Sequence, residues 1–176
     1  MTSPPPQGYH QIGDNRFRET LGCGYHDFVV GRIIEHRPGR TVTELDNVLM
    51  SALTGNTAPL HTDTHYSSTT SWGRPLVCTT VTLGIVAGMS VHSTSALTTG
   101  NLGLDGVRLE HPVFVGDTLY AHTETLARRR SASRPDSGLI TCRTRGVNQD
   151  GTRVITFERT FLVPLDPEPV RAATHY

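Results

Sequence analysis

The sequence predicts a single α+β domain in which an antiparallel sheet wraps one long helix. Three observations carry that prediction. Apolar residues recur at helical spacing between Leu45 and Leu53, a long apolar run begins at Leu76, and from Asn101 onward the chain reads as a series of strands. No internal repeat interrupts this order.

The first strand is expected over Phe28 to His36, with Pro38-Gly39 making a turn after it. Thr41 to Thr54 then carries the first helix. Thr43 and Asp46 supply a capped start, Leu45, Val48, Leu49, Ala52 and Leu53 mark one buried face, and Gly55 ends the helix. Pro59 cannot continue a helix, so the turn around Asn56 is held from both sides. Thr62 or Asp63 caps a short helical piece through Thr70, which Gly73-Arg74-Pro75 breaks. Pro75 suits the first turn of the long helix, Leu76 to His92, whose Gly84, Gly88 and many β-branched residues predict close packing inside a sheet. Strands follow at Gly103 to Glu110, Asp117 to Leu126, Leu139 to Val147 and Arg153 to Val163, the last two joined by Asp150-Gly151. One long helix inside such a sheet is the hot-dog arrangement. Its open sheet edge and uncovered helix end predict a homodimer or higher homo-oligomer.

Composition narrows the partners. The chain has 176 residues, 36 % of them hydrophobic, enough for one domain with a real core. Residues 1–14 read as a flexible lead-in, 15–165 as the domain and 166–176 as a tail. Sixteen basic and sixteen acidic residues cancel, so no broad field draws nucleic acid or an anionic membrane, and a small ligand is the expected partner. Cys23, Cys78 and Cys142 are far apart and odd in number, as for reduced thiols in the cytoplasm. Met1 to Pro6 has neither a basic start nor an apolar core, unlike a signal peptide. The run from Leu76 to Val91 contains Thr79, Thr80, Thr82 and Ser90 and is too short to span a bilayer.

Chemistry concentrates in Leu53-Thr54-Gly55-Asn56-Thr57-Ala58-Pro59-Leu60-His61-Thr62-Asp63, where a rigid turn delivers His61. A histidine ordinarily titrates near ~6.5 and exchanges protons around neutrality. Asn56 can hold water by hydrogen bonds without ionising, or serve as a turn former after the glycine. Asp63 is either a helix cap or an orienter of His61. His61 and His65 are spaced to share a metal on one helix face, yet no third ligand converges in the sequence and no metal is expected. Cys78 reads as packing.

The string Gly55-Asn56-Thr57-Ala58-Pro59-Leu60-His61, followed by Gly73-Arg74-Pro75-Leu76-Val77 and by His111-Pro112-Val113-Phe114-Val115-Gly116-Asp117, resembles the MaoC-type (R)-enoyl-CoA hydratase family. A longer match, from Tyr25-His26-Asp27-Phe28 through Glu35 to Glu44 and on to Arg134-Pro135-Asp136, is similar to the branch related to itaconyl-CoA and mesaconyl-CoA hydratases. The resemblance implies a hot-dog fold, reversible addition of water to an α,β-unsaturated thioester, and a phosphopantetheine arm entering between subunits. Asn56 and His61 stand where better-known members have an aspartate and a histidine, and the similar branch tends to have asparagine there. Ala58 replaces a family asparagine. Cys78 and Thr79 stand where many members have histidine and glycine; the Thr79 backbone N–H can still serve a thioester oxygen, a role that uses main chain at a helix start.

The expected activity is therefore a cytoplasmic hydratase or dehydratase of a short enoyl thioester, branched or carboxylated, on CoA or an acyl-carrier protein. His61 is its acid/base, Asn56 holds water and Thr79 N–H supports the oxyanion. No cofactor is expected beyond CoA or phosphopantetheine as part of the substrate. Arg40 or Arg74 is a candidate for a substrate carboxylate, and Arg74, Arg128 and Arg130 for the thioester or CoA phosphates, although turn chemistry and a solvated loop account for the same residues. His92 either complements the end of its helix or lines the tunnel. Two other readings stay open: hot-dog thioester hydrolysis, and a non-catalytic acyl-binding protein, the latter motivated by the missing carboxylate at Asn56.

Overall fold

The computed structural model describes residues 7–175. The expectations for Met1 to Pro6 lie outside them. A small hairpin comes first, β1 (Tyr9–Gly13) and β2 (Arg16–Glu19), antiparallel and separate from the main sheet. The main sheet has five strands: β3 (Ile33–Thr41), β4 (Gly100–Leu109), β5 (Thr118–Arg130), β6 (Ser137–Val147) and β7 (Arg153–Pro164). They lie in the order β3-β5-β6-β7-β4 with every pair antiparallel. The helices are α1 (Glu44–Thr54), α2 (Pro59–Thr62), α3 (Thr64–Ser68), α4 (Thr79–Met89) and α5 (Glu168–Thr174). The sheet curls around α4, which is the hot-dog arrangement the sequence predicts.

The core lies between α4 and the central strands. Val81, Ile85 and Val86 of α4 pack on Leu119, Ala121, Val154, Ile155 and Phe157. A second cluster under the other end of the sheet joins Phe28, Ile140, Cys142, Phe161 and Val163, with the Phe28 and Phe161 rings meeting edge to face at 5.8 Å. Each large side chain removed from water here stabilises the fold by about 1.5–3 kcal/mol before entropy is counted. The alternation read in Ile155, Phe157, Phe161 and Val163 is the inner face of β7, and all four are buried.

Several elements differ from the expectation. The first strand begins at Ile33 rather than Phe28. Tyr25–Asp27 is a 3₁₀ turn, Phe28 is a core plug, and a turn closes at Gly31, whose φ is +83°, before extended pairing starts. Pro38-Gly39 makes no turn: β3 runs through it to Thr41, with irregular pairing between His36 and Arg40. Gly39 is there because a Cβ would overlap the Tyr120 ring. The long helix starts at Thr79, not Leu76. Leu76 and Val77 stay extended, donating their N–H groups to Leu60 and Val113 carbonyls, so Pro75 precedes the helix by several residues instead of opening it. Beyond Met89 the coil widens into a π-helical turn, Val91–Ser95. Gly84 and Gly88 do not face the sheet; both are exposed, and a Cβ on either would meet nothing within 4 Å.

The largest correction is α1. Its start and stop are as read: Thr43 Oγ1 accepts from Asp46 N–H, Asp46 Oδ2 accepts from Thr43 N–H at 2.8 Å, and Gly55 closes the helix with φ +66°. The apolar stripe, however, points outward, with Leu45 at 69 % and Leu53 at 74 % exposure, while the buried face is Asn47 and Ser51. Periodicity shows which residues share a face. It does not show which face the rest of the chain covers. The stretch 1–14, expected as a lead-in, contributes β1, and the expected tail 166–176 contributes α5. Both elements are short and flanked by turn residues, so periodicity had little length to register.

Candidate active site

His61 sits on α2, a single helical turn that Pro59 opens after Ala58. Pro59 thus opens a new helix beyond the Gly55 cap of α1. His61 Nδ1 lies 2.9 Å from the Leu76 carbonyl oxygen. A carbonyl only accepts, so Nδ1 carries the proton, and Nε2 of the neutral ring keeps its lone pair. Nε2 has no hydrogen-bond partner among the described residues.

The ring lines a cleft of about 310 Å³. Its lining includes His61 and Trp72, Thr79 and Thr82 at the start of α4, and Glu110 and His111 after β4. Thr79 is the first residue of α4, and none of the described residues accepts from its N–H. The amino end of an 11-residue helix favours developing negative charge. His61 and Thr79, paired in the sequence reading, therefore line one cavity. His61 also lines a second recess of about 240 Å³, together with Arg74, Glu44 and Thr64 among others. The Arg74 guanidinium stands 3.9 Å from the centre of the Phe114 ring and has no carboxylate partner among the described residues.

The other candidates are placed elsewhere. Asn56 does not line either recess; its Oδ1 accepts from Ala58 N–H at 3.2 Å and holds the turn ahead of α2. Asp63 caps α3, with Oδ1 accepting from Tyr66 N–H at 2.9 Å, while the partner of His61 Nδ1 is Leu76. Arg128 donates to the carbonyls of His26 and Phe28, at 3.3 and 3.0 Å, and clamps the 3₁₀ turn to β5. Arg130 pairs opposite Gly138 near the end of β5, and neither arginine lines the His61 cleft. Arg40 is ion-paired with Asp46. The Cys78 side chain is fully buried at the cap of α4. His92 faces Glu19 at 3.6 Å.

Sequence reasoning missed four residues. Asn47, 2 % exposed, was hidden by the apolar stripe around it; a lone asparagine on a helix whose other face is apolar was the available signal. Glu110, His111 and Trp72 line the cleft; Glu110 was read only as the end of a strand, His111 only as the first residue of a motif block, and Trp72 was given no part. His111 Nδ1 donates to the Arg153 carbonyl at 2.7 Å, and Glu110 Oε1 accepts from Thr156 Oγ1 at 2.6 Å. Away from the site, His36 is buried between Ser93 Oγ and Thr123 Oγ1, each at 2.7 Å. Burial, reinforced by Arg159, His122 and Arg37, pushes its pKa down to about 4.

Fold and cleft together define a hot-dog domain in which a histidine and the first residue of the central helix line one pocket. Comparison with known proteins places it more closely: the family model for mesaconyl-CoA hydratase matches residues 6–174, and the chain belongs to that family. The mesaconyl-CoA hydratase of Cereibacter sphaeroides is 30% identical over 146 residues, which cover 83% of this chain and 42% of the relative. A solved MaoC domain protein dehydratase from Chloroflexus aurantiacus matches with TM-score 0.78 and 29% identity, over 83% of this chain and 42% of that one. A Mycobacterium tuberculosis protein with a double hot-dog fold shares the fold, with TM-score 0.75 and 24% identity over 83% of this chain and 45% of that one. The chain spans less than half the length of these relatives. None of the helices among the described residues is long and apolar enough to cross a membrane.

Proposed function

We propose that this chain adds water to, or removes it from, the α,β double bond of a short enoyl thioester, with His61 as its acid/base. One observation carries the reading: the Nδ1–H bond to Leu76 leaves His61 Nε2 without a partner among the described residues, and His61 lines the same cleft as Thr79, the first residue of α4. In the hydration direction Nε2 takes a proton from a water molecule as the water oxygen bonds to Cβ. The electron pair of the double bond moves toward the thioester carbonyl, whose oxygen gains negative charge opposite Thr79 N–H. Protonated His61 then returns the proton to Cα, and the charge on oxygen collapses. One titratable group suffices for both transfers. Asn56 supports the step by fixing the turn that presents His61, with its Nδ2 left to donate to water.

Membership of the mesaconyl-CoA hydratase family favours a branched, carboxylated acyl group on CoA or a carrier protein. Arg74, which lines the second recess with His61 and has no carboxylate partner among the described residues, suits the free carboxylate of such a group. Arg128, committed to backbone carbonyls, and Arg130 are further from this role. The apolar edge formed by Leu102, Leu104 and Leu109 on β4, the outward stripe of α1 and the bare Gly84–Gly88 face of α4 suit a second copy of the chain, so the working unit is a homodimer. The double hot-dog fold of the Mycobacterium tuberculosis protein is consistent with this pairing. Three cysteines outside any disulfide agree with a cytoplasmic location.

The test is turnover of a panel of short enoyl-CoA and 3-hydroxyacyl-CoA thioesters, including C5 dicarboxylic ones, followed by conjugated thioester absorbance. His61→Ala is expected to lower kcat/KM by about 10²–10⁴-fold. Equal turnover in the variant would overturn the assignment of His61, and release of free thiol would make the protein a thioesterase instead.

A further inference from the structure

Resting on His61 as the acid/base, we propose that Asn47 is the positioning residue that sets which His61 nitrogen faces the substrate and fixes His61 against the amino end of α4. Asn47 is 2 % exposed on the inner face of α1. Its Nδ2 donates to the His61 carbonyl at 2.9 Å and to the Leu76 carbonyl at 3.2 Å, and its Oδ1 accepts from Cys78 N–H at 2.8 Å. These contacts join three segments on which the chemistry depends: the turn carrying His61, the carbonyl that accepts from His61 Nδ1–H, and the residue that caps α4 immediately before Thr79.

The Leu76 carbonyl receives both Asn47 Nδ2 and His61 Nδ1. Asn47 therefore holds in place the acceptor that keeps the imidazole proton on Nδ1 and Nε2 unprotonated. Only a primary amide of this length offers two donors and one acceptor in that arrangement. Aspartate keeps the acceptor for Cys78 N–H but sets a negative charge against two carbonyl oxygens. Serine reaches fewer partners and leaves buried groups unpaired. The orientation of α1 agrees: its apolar stripe faces outward, its inward face carries Asn47 and Ser51 beside a core contact from Met50, and both ends of the helix are capped.

The full chain carrying Asn47→Asp or Asn47→Ser tests the proposal, read by kcat and KM on the thioester that the parent turns over. The tautomer of His61 is read from its imidazole ¹⁵N–¹H correlations, and folding from a melting curve. The expected result is a folded variant with kcat lowered about 10–100-fold, KM within about threefold, and loss of the single Nδ1–H signature. A folded variant that keeps the parent's kcat and tautomer overturns the proposal. If the parent turns over no thioester, the hydratase reading fails by itself and the tautomer decides for Asn47: its retention overturns the role, its loss supports it. Should Asn47→Asp fail to fold, Asn47→Ser supplies the same readings.

Discussion

At the residue scale, His61 and His36 show one side chain put to opposite uses. His61 lines a cleft and has a carbonyl on one nitrogen and no partner among the described residues on the other, which leaves that nitrogen available for proton exchange. His36, 3 % exposed, has hydroxyls on both nitrogens, and its hydrogen-bonded chain continues from Thr123 to Thr144 at 2.9 Å. Burial lowers its pKa from 6.5 to about 4, so it folds neutral. Between those two values the unfolded chain binds more protons than the folded one, and stability falls as pH falls. The contribution of neutral His36 is complete above about pH 6.5 and gone below about pH 4. The size of that loss is roughly 3 kcal/mol. Melting curves across this window should show the decline, and His36→Gln, which cannot titrate, should flatten it. An unchanged slope in the variant would assign the pH dependence to other groups.

At the element scale, α1 is the part whose boundaries were legible and whose orientation was not. Thr43, Asp46 and Gly55 announce a start and a stop through local hydrogen bonds and a left-handed residue, effects contained within a few residues of chain. Thr43→Ala removes one side of the capping box and should lower stability by about 1 kcal/mol, read as a drop in urea midpoint without a change in slope. A shift within error would mean that water replaces the cap. The outward turn of Leu45, Val48, Leu49 and Leu53 depends on what α1 meets in space. The same distinction applies to α4: its apolar sequence marked burial correctly for Val81, Ile85 and Val86, but its first turn waited for Val77 to finish pairing with Val113. At Pro38-Gly39 a strong turn signal was overruled because strand pairing on either side and the Tyr120 ring favour an extended path.

At the scale of the whole molecule, the five-stranded sheet ends in β4, an edge strand with Leu102, Leu104 and Leu109 exposed at 54 %, 40 % and 53 %. An apolar, unpaired edge is a pairing surface unless something covers it. Sedimentation equilibrium should give a dimer mass, and Leu104→Lys should shift the equilibrium toward monomer by about tenfold or more. A wild-type monomer across micromolar concentrations would remove the second copy from the proposed working unit. The cleft beside Glu110 and His111 opens next to this edge, so loss of the dimer should also raise KM if a partner completes the entrance.

By itself the sequence determined the class of fold, the order of its main elements, the family resemblance and the one histidine on which the proposed chemistry turns. Those properties rest on hydrophobic period, caps, glycine and proline positions and short motifs, all of which act over a few residues. Only the tertiary structure decided that Asn56 and Asp63 serve turns and caps, that Arg128 clamps backbone, and that Asn47, Glu110 and His111 stand around the site. These depend on segments far apart in the chain. Asn47 meets His61 and Cys78 because α1, α2 and the start of α4 converge, and a pattern read along one strand or helix holds no record of which segments will meet.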